Sequence, residues 1–480
     1  MEHPVEHPVQ HPVAHPVAHP VPQPTAQAVS DQVDHIEWQL QRFAEGAEKT
    51  ALVWRDHVYT YADLATRYHD WVTRLTAAGV TAGASVAVIG DFSPSSVSAL
   101  LALIGLRCIL VPMSRDSRDQ HDQFYDIAEI DFRIDLDEHD QGEITATRFR
   151  KDHPLLQRVR DTNEAGLVLF SSGSTGKPKA ILHALPHLLE KFRTPRHCYR
   201  TVTFLLFDHI GGFNTLMYTM ANLGSVVAPD DRSVTKVCKA IERHKAELLP
   251  TSPSFLNLLL LGDSHRNFDL SSLKLITYGT EVMPERTLAL LSEAFPNIRL
   301  QQTYGLSELG ILRSKSASNR SLMVQVGGED YETKVVDGTL RIRAKCSMLG
   351  YLNAPSPFDE EGWFNTGDSV IQDGDYYRIL GRVSEIINVG GQKVYPAEVE
   401  RVIAEIPDFI DVAVMGEPHM LMGNVVVVTV QMSEPLPPAA ELKRKIIEHC
   451  RGRLQPFMIP TKVKVVTESL VNYRFKKVRR

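Results

Sequence analysis

Alternation is the feature that most constrains this chain. Between residues 60 and 111, stretches with apolar residues at helical spacing alternate with short, wholly apolar runs. Thr60, followed three residues on by Asp63, marks a helix start. The hydroxyl accepts the amide of the third helical residue while the acid bonds back to the cap. The spacing predicts a helix from there through Leu75, ended at Gly79. Residues 85–89 predict a buried strand, 95–106 a helix and 108–111 another strand. Strand–helix–strand order favours parallel pairing, because a helical crossover returns the chain to the same end of a sheet. Later the text changes to helix 397–406, strands 411–415 and 424–431, helix 441–454 and strand 462–466. That order predicts a compact α+β unit with its own core. The expected fold class is α/β: a large N-terminal domain (35–380) of mostly parallel sheets with flanking helices, plus a small C-terminal α+β domain (381–480). The boundary is placed near Gly381-Arg382-Val383-Ser384, after the turn-rich Gln372-Asp373-Gly374-Asp375.

Residues 3–21 repeat His-Pro-Val every four residues. Proline at that density prevents helix and favours an extended chain. Residues 1–34 are therefore expected to be a disordered tail. Metal binding by its histidines is the sharper reading, an inert tail the better one, since nothing else there would hold a ligand geometry. Its deletion is expected to leave turnover intact. The net charge of −6 argues against nucleic acid as a partner. Cys108, Cys198, Cys238, Cys346 and Cys450 stand singly, so neither a zinc site nor a disulfide framework is suggested, and a reducing compartment fits. No apolar run approaches the roughly 18 residues of a membrane span, and no basic-then-apolar leader opens the chain. A soluble, cytoplasmic protein is the expectation.

Gly166–Ser172 is an apolar strand that runs into Ser171-Ser172-Gly173-Ser174-Thr175-Gly176-Lys177-Pro178-Lys179. Glycines let a backbone turn with positive φ and bring several amides to one anion. Hydroxyls and lysines add donors and charge, so the loop suits a polyphosphate. It is not a Walker A loop, because the spacing is G-x-x-G-K and Pro178 stands where Ser or Thr belongs. Standing alone, such a loop would read as a linker; its place directly after a buried strand favours phosphate.

Five further motifs follow in order: Gly279-Thr280-Glu281, Tyr304-Gly305-Leu306-Ser307-Glu308, Thr366-Gly367-Asp368, Gly381-Arg382, and Gly390-Gly391-Gln392-Lys393-Val394-Tyr395-Pro396-Ala397-Glu398-Val399-Glu400. With the loop they resemble the signatures of the adenylate-forming superfamily: acyl- and aryl-CoA ligases, peptide-synthetase adenylation domains and luciferases. The resemblance covers residues 36–480. It implies a ligase that uses ATP and Mg²⁺ to convert a small carboxylic acid to an acyl-adenylate, releasing pyrophosphate, and then passes the acyl group to a thiol, CoA first among the candidates. It also implies that the small domain is mobile.

The resemblance implies roles residue by residue. Ser171, Ser172, Gly173, Ser174, Thr175, Gly176 and Lys177 would hold the ATP phosphates. Gly279, Thr280 and Glu281 would line adenine, with Tyr304 and Gly305 beside it and the Tyr304 ring stacked on the base. Glu308 would bind Mg²⁺, since hard cations prefer carboxylate oxygen; the Thr175 or Ser307 hydroxyl would assist or hold phosphate. Outside its motif Glu308 would be an ordinary surface residue. Asp368 would accept the ribose hydroxyls, and Arg382 would sit near ribose and phosphate, its bland reading being an ion pair. The family ends in a Gly-Lys pair whose lysine serves adenylation. Here the end reads Phe475-Lys476-Lys477-Val478-Arg479-Arg480, so the glycine is gone and two lysines compete. Lys477 is preferred over Lys476 because Val478 follows it as the family's apolar residue does; a solvated basic tail is the other reading. Ser384 takes the hinge position, where relatives carry Asp or Lys. Gly390 and Gly391 would flank the thiol tunnel that opens when the small domain rotates.

Phe207-Asp208-His209-Ile210-Gly211-Gly212-Phe213-Asn214 resembles the segment that gates the carboxylate, which puts His209 at the gate; a structural histidine is the plainer alternative. Phe213, Asn214, Tyr278, Gln302 and Thr303 are candidates for the acid pocket, which would suit an aryl acid or a medium acyl chain. No carrier domain follows Arg480, so the acceptor (CoA, a carrier protein or an amine) is expected in trans. A stand-alone adenylating enzyme is the second reading, and a non-catalytic binding protein on the same fold the third.

Overall fold

The structure, a computed structural model, describes residues 36–147, 152–172, 178–262, 264–471, 477 and 479. The His-Pro-Val tail lies outside the described residues. Ser85–Ile89 and Ile109–Met113 are buried along their whole length, as strands covered on both faces must be. They lie inside a seven-stranded sheet ordered Gly350–Tyr351, Pro178–Ala184, Gly166–Ser172, Ile109–Met113, Ser85–Ile89, Phe132–Leu136, Gly142–Ala146. The four strands from Gly166–Ser172 to Phe132–Leu136 run parallel, and the outer pairings are antiparallel. A second seven-stranded sheet is parallel from Arg299–Gln302 through Leu275–Tyr278, Leu248–Thr251, Arg200–Val202 and Ser225–Ala228 to Thr50–Trp54, with His57–Thr60 antiparallel at its edge.

One apolar core joins the two sheets. It unites Val86, Leu110 and Leu169 of the first with Leu52 and Val226 of the second through helices, three of them long. Tyr61–Ala77 opens on the expected capping box between Thr60 and Asp63. Pro94–Gly105, apolar apart from Ser95, Ser96 and Ser98, is buried almost throughout, the pattern of a helix wedged between layers. Ile210–Ala221 is the third.

The expected alternation stops short of residue 314. Ser314–Ser316, Met323–Val326, Tyr331–Val336, Thr339–Ala344, Phe364–Asp373 and Tyr376–Arg382 form a wholly antiparallel six-stranded sheet. Short runs separated by Gly and Asp turns, as at Asp337-Gly338 and Asp373-Gly374-Asp375, make hairpins rather than crossovers. The last sheet carries Ile387–Val389, Gln392–Val394, Asp411–His419, Gly423–Gln431 and Lys462–Val466, covered by the helices Pro396–Ile403 and Ala439–Cys450, with its own core around Val399, Ile403, Val428 and Ile446. No helix among the described residues is long and apolar enough to cross a membrane.

Candidate active site

A cleft of about 1500 Å³ is walled by all four large sheets. Ser171 reaches it from the end of Gly166–Ser172, and Lys179 returns along the next strand with its ammonium 4.8 Å from the Tyr351 ring. Gly173, Ser174, Thr175, Gly176 and Lys177 lie outside the described residues, as does Lys476. Gly279 and Thr280 continue from the C-terminal end of Leu275–Tyr278. A Cβ at Gly279 would stand 2.6 Å from the Thr303 hydroxyl and 3.0 Å from its carbonyl, so only glycine lets the neighbouring strand ends approach. Thr280 takes a positive φ of 71°.

Three motif residues meet on the floor. The Tyr304 hydroxyl donates to Asp368 Oδ2 at 2.5 Å, and Arg382 Nε lies 3.0 Å from Asp368 Oδ1. Pairing of Phe364–Asp373 with Tyr376–Arg382 puts Asp368 opposite Arg382. Burial pushes the Asp368 carboxyl up, while Arg382 and Tyr304 hold it down. Each carboxylate oxygen has two lone pairs, so Asp368 retains capacity for a diol. Glu308, the last residue of the motif that Tyr304 opens, accepts from the Tyr351 hydroxyl at 2.7 Å. Its motif is pinned from behind: buried His183 donates from Nε2 to the Ser307 carbonyl at 2.6 Å, and burial lowers its pKa to about 4, which keeps the ring neutral. The donor set fits a nucleotide and a divalent cation: a carboxylate–arginine pair, an aromatic hydroxyl and a second carboxylate aimed into one cleft.

Glu281 also lines the cleft and accepts from the Ser254 hydroxyl at 2.6 Å. Its other oxygen is buried with no partner among the described residues, and burial pushes its carboxyl up to about 7. Lys477 comes to the same wall. Its ammonium is 2.9 Å from Asp411 and 2.8 Å from the Val412 carbonyl. Burial works against its charge, but Glu400 and Asp411 outweigh that and raise its pKa. Arg479 is bidentate to Glu400 and reaches Glu385 at 2.9 Å.

His209 caps the helix Ile210–Ala221, its Nδ1 accepting the Gly211 amide at 3.0 Å, and it lines the cleft. Within that helix only Asn214 and Tyr218 escape full burial; four residues apart, they share the face toward the cleft. Phe213 is therefore corrected: it points the other way, 1% exposed, into the core with Leu216 and Met217. Tyr278 is corrected for the same kind of reason. Strand residues alternate faces, so Thr277 and Gly279 reach the cleft while Tyr278 is buried behind it with Ile276 and Leu300. Gln302 and Thr303 do line the cleft, as do Gly305, Ser307 and Ser384. Gly390 and Gly391 do not: with φ of 56° and 83° they form the two-residue turn between Ile387–Val389 and Gln392–Val394, beside Met422. Sequence reasoning missed Tyr351, Ser254, Asp411 and Lys191, none of which belongs to a recognisable motif.

The profile of the AMP-binding enzyme family matches residues 39–352, and that of the AMP-binding enzyme C-terminal domain matches residues 398–477. The chain is 27% identical to an indoleacetate–CoA ligase of Aromatoleum aromaticum, over 88% of this chain and 92% of that one. Its fold resembles the crystal structure of the anthranilate CoA ligase AuaEII in complex with anthranoyl-AMP, with a TM-score of 0.78 at 20% identity, covering 92% of this chain and 95% of that one. It also resembles the amide bond synthetase McbA from Marinactinospora thermotolerans, with a TM-score of 0.72 at 22% identity, covering 92% and 97%.

Proposed function

The chain belongs to the AMP-binding enzyme family, an adenylate-forming ligase that uses ATP, and from this premise we propose how its cleft divides the work and which acceptor it serves. The observation that carries the reading is the convergence of Tyr304, Asp368 and Arg382 beside Glu308 in one cleft. Asp368 accepts the ribose hydroxyls. Tyr304 borders adenine with Gly279 and Thr280, and Arg382 lies between ribose and phosphate. Glu308, steadied by Tyr351, holds Mg²⁺, which offsets negative charge as a carboxylate meets the α-phosphate. Ser171 and the loop after it cradle the phosphates. The acid enters past His209 toward Asn214, Gln302 and Thr303. Lys477 supplies positive charge during adenylation, Lys476 being the alternative. The small domain, 381–480, turns about Ser384 to present Gly390 and Gly391 to the thiol. CoA is the proposed acceptor.

The test is pyrophosphate release with ATP and Mg²⁺ across fatty, aryl and amino acids, with and without CoA. Release by one class of acid, with turnover rising on adding CoA, is expected. Release indifferent to CoA would move the acceptor to an amine or a carrier protein, and silence across the panel would refute ligation.

A further inference from the structure

Lys191 follows the helix Leu185–Leu189 in a short turn and lines the cleft. Its ammonium donates to Asn214 Oδ1 at 2.6 Å and to the Ile311 carbonyl at 2.9 Å, so both partners are neutral. Arg196 and Arg313 line the same end of the cleft and are close enough to act on Lys191 electrostatically. Among the described residues none of these three cations has a carboxylate partner. Glu190, next to Lys191 in the chain, pairs with Arg193 at 3.0 Å, and Asp330 pairs with Lys345 at 3.1 Å. In a chain whose net charge is −6, this is a cationic pocket end whose three charges have no carboxylate partner among the described residues.

Taking even a half-buried lysine out of water without an anion is unfavourable, and the cost shows here. Burial lowers the Lys191 pKa to about 8, with the Cys346 thiol acting against the shift and Arg196 and Arg313 adding to it. A tether between Asn214 and Ile311 would need only a neutral donor. A charge held there is offset when an anion arrives.

We infer that the far end of the acid pocket receives a second anionic group on the substrate, with Lys191 as its direct partner and Arg196 and Arg313 shaping the field around it. The inference rests on the acid-ligase reading, with His209 at the carboxylate gate. Asn214 follows His209 by five residues on one helix, which sets a scale of about 7.5 Å between the two ends. A dicarboxylic acid with a four-carbon or aryl spacer matches that scale.

The experiment compares acids differing only in the second carboxylate: adipate against hexanoate, and terephthalate against benzoate. Each is measured twice, by calorimetric binding to the full chain and by pyrophosphate release with ATP and Mg²⁺. The diacid of a pair is expected to be favoured by about tenfold or more, the scale of a charge-assisted hydrogen bond. Lys191→Met is expected to collapse the diacid-to-monoacid ratio toward one. Arg313→Gln, an exposed position that does not endanger folding, is expected to lower the ratio severalfold. Equal use of both acids by the native protein, or an equal fall for both in Lys191→Met, would overturn the inference. Diacid binding without pyrophosphate release from any acid would instead uphold the subsite and count against the ligase reading.

Discussion

Glu281 carries an unusual proton for a carboxylate. Its unfolded counterpart titrates near 4.5, whereas burial holds it at about 7 in the fold. The folded protein therefore binds the extra proton across that window, and stability falls as pH rises from 4.5 toward 7. Glu281→Gln removes the charge that must be buried at high pH. Its melting temperature is expected to exceed that of the native protein at pH 8 but to match it at acid pH, a gain on the order of 1 kcal/mol or more. Identical offsets at both pH values would show that the carboxyl is not the cause. Tyr351 poses a different question, because its hydroxyl donates to Glu308. Tyr351→Phe deletes one hydroxyl and keeps the ring over which Lys179 lies. If that hydroxyl orients a Mg²⁺ ligand, the Mg²⁺ concentration for half-maximal pyrophosphate release should rise about tenfold, as for other outer partners of metal ligands. An unchanged Mg²⁺ curve would remove Glu308 or its orientation from the proposal. Tyr304, Glu308, Asp368 and Arg382 were legible as motifs, since their chemistry lies in contiguous text. Tyr351 was not, being 43 residues from the glutamate it holds and joined to it only by folding.

At the scale of elements, one helix shows what the text conceals. The segment around His209 reads as a gate, but a string of letters does not say which side of a helix faces the cleft. The buried set Phe213, Leu216, Met217 and Met220 claims one side, leaving Asn214 and Tyr218 on the other. The face a strand residue takes was hidden in the same way at Tyr278, which joins the core behind the cleft. The capping box at Thr60, by contrast, is a local device and was legible to the residue. His209 combines both kinds of information, being helix cap and cleft residue. Asparagine is among the best helix caps, so His209→Asn separates the roles. Its melting temperature should stay within about 2 °C of the native value, since a retained cap leaves well under 1 kcal/mol to lose, while kcat/KM for the acid drops. A variant that melts early with proportionate loss of activity would make His209 a cap alone. The antiparallel sheet Ser314–Arg382 was harder to foresee, because half-exposed hairpins leave weaker periodicity than buried parallel strands.

On the scale of the whole molecule, the C-terminal α+β unit carries Lys477, Arg479, Asp411, Glu400 and Glu385 together. The lysine and its carboxylates therefore travel as one charged cluster if that unit rotates. Among the described residues the unit meets the rest through polar contacts such as Ser369 to Tyr395 at 3.2 Å, Arg286 to the Ala404 carbonyl at 2.5 Å, and Asn257 to the Ile410 carbonyl at 3.5 Å. Interfaces of this kind favour relative motion, and Val383–Glu385 offers a short 3₁₀ turn at which to absorb it. Two half-reactions would then place different demands on Lys477. Adenylation gathers charge at the α-phosphate and needs the ammonium; thiol attack on a finished acyl-adenylate does not. Lys477→Ala should slow pyrophosphate release by about 10²-fold or more, as for a lost charge partner in the transition state, yet leave CoA thioester formation from added acyl-adenylate near its native rate. The same substitution strips Asp411 of its cation, and a purely structural lysine would lower both half-reactions and the melting temperature together. Asp411→Asn supplies the contrast, loosening the cluster while keeping the lysine. If it reproduces the Lys477→Ala defect in full, the ion pair and not the ammonium is what adenylation requires.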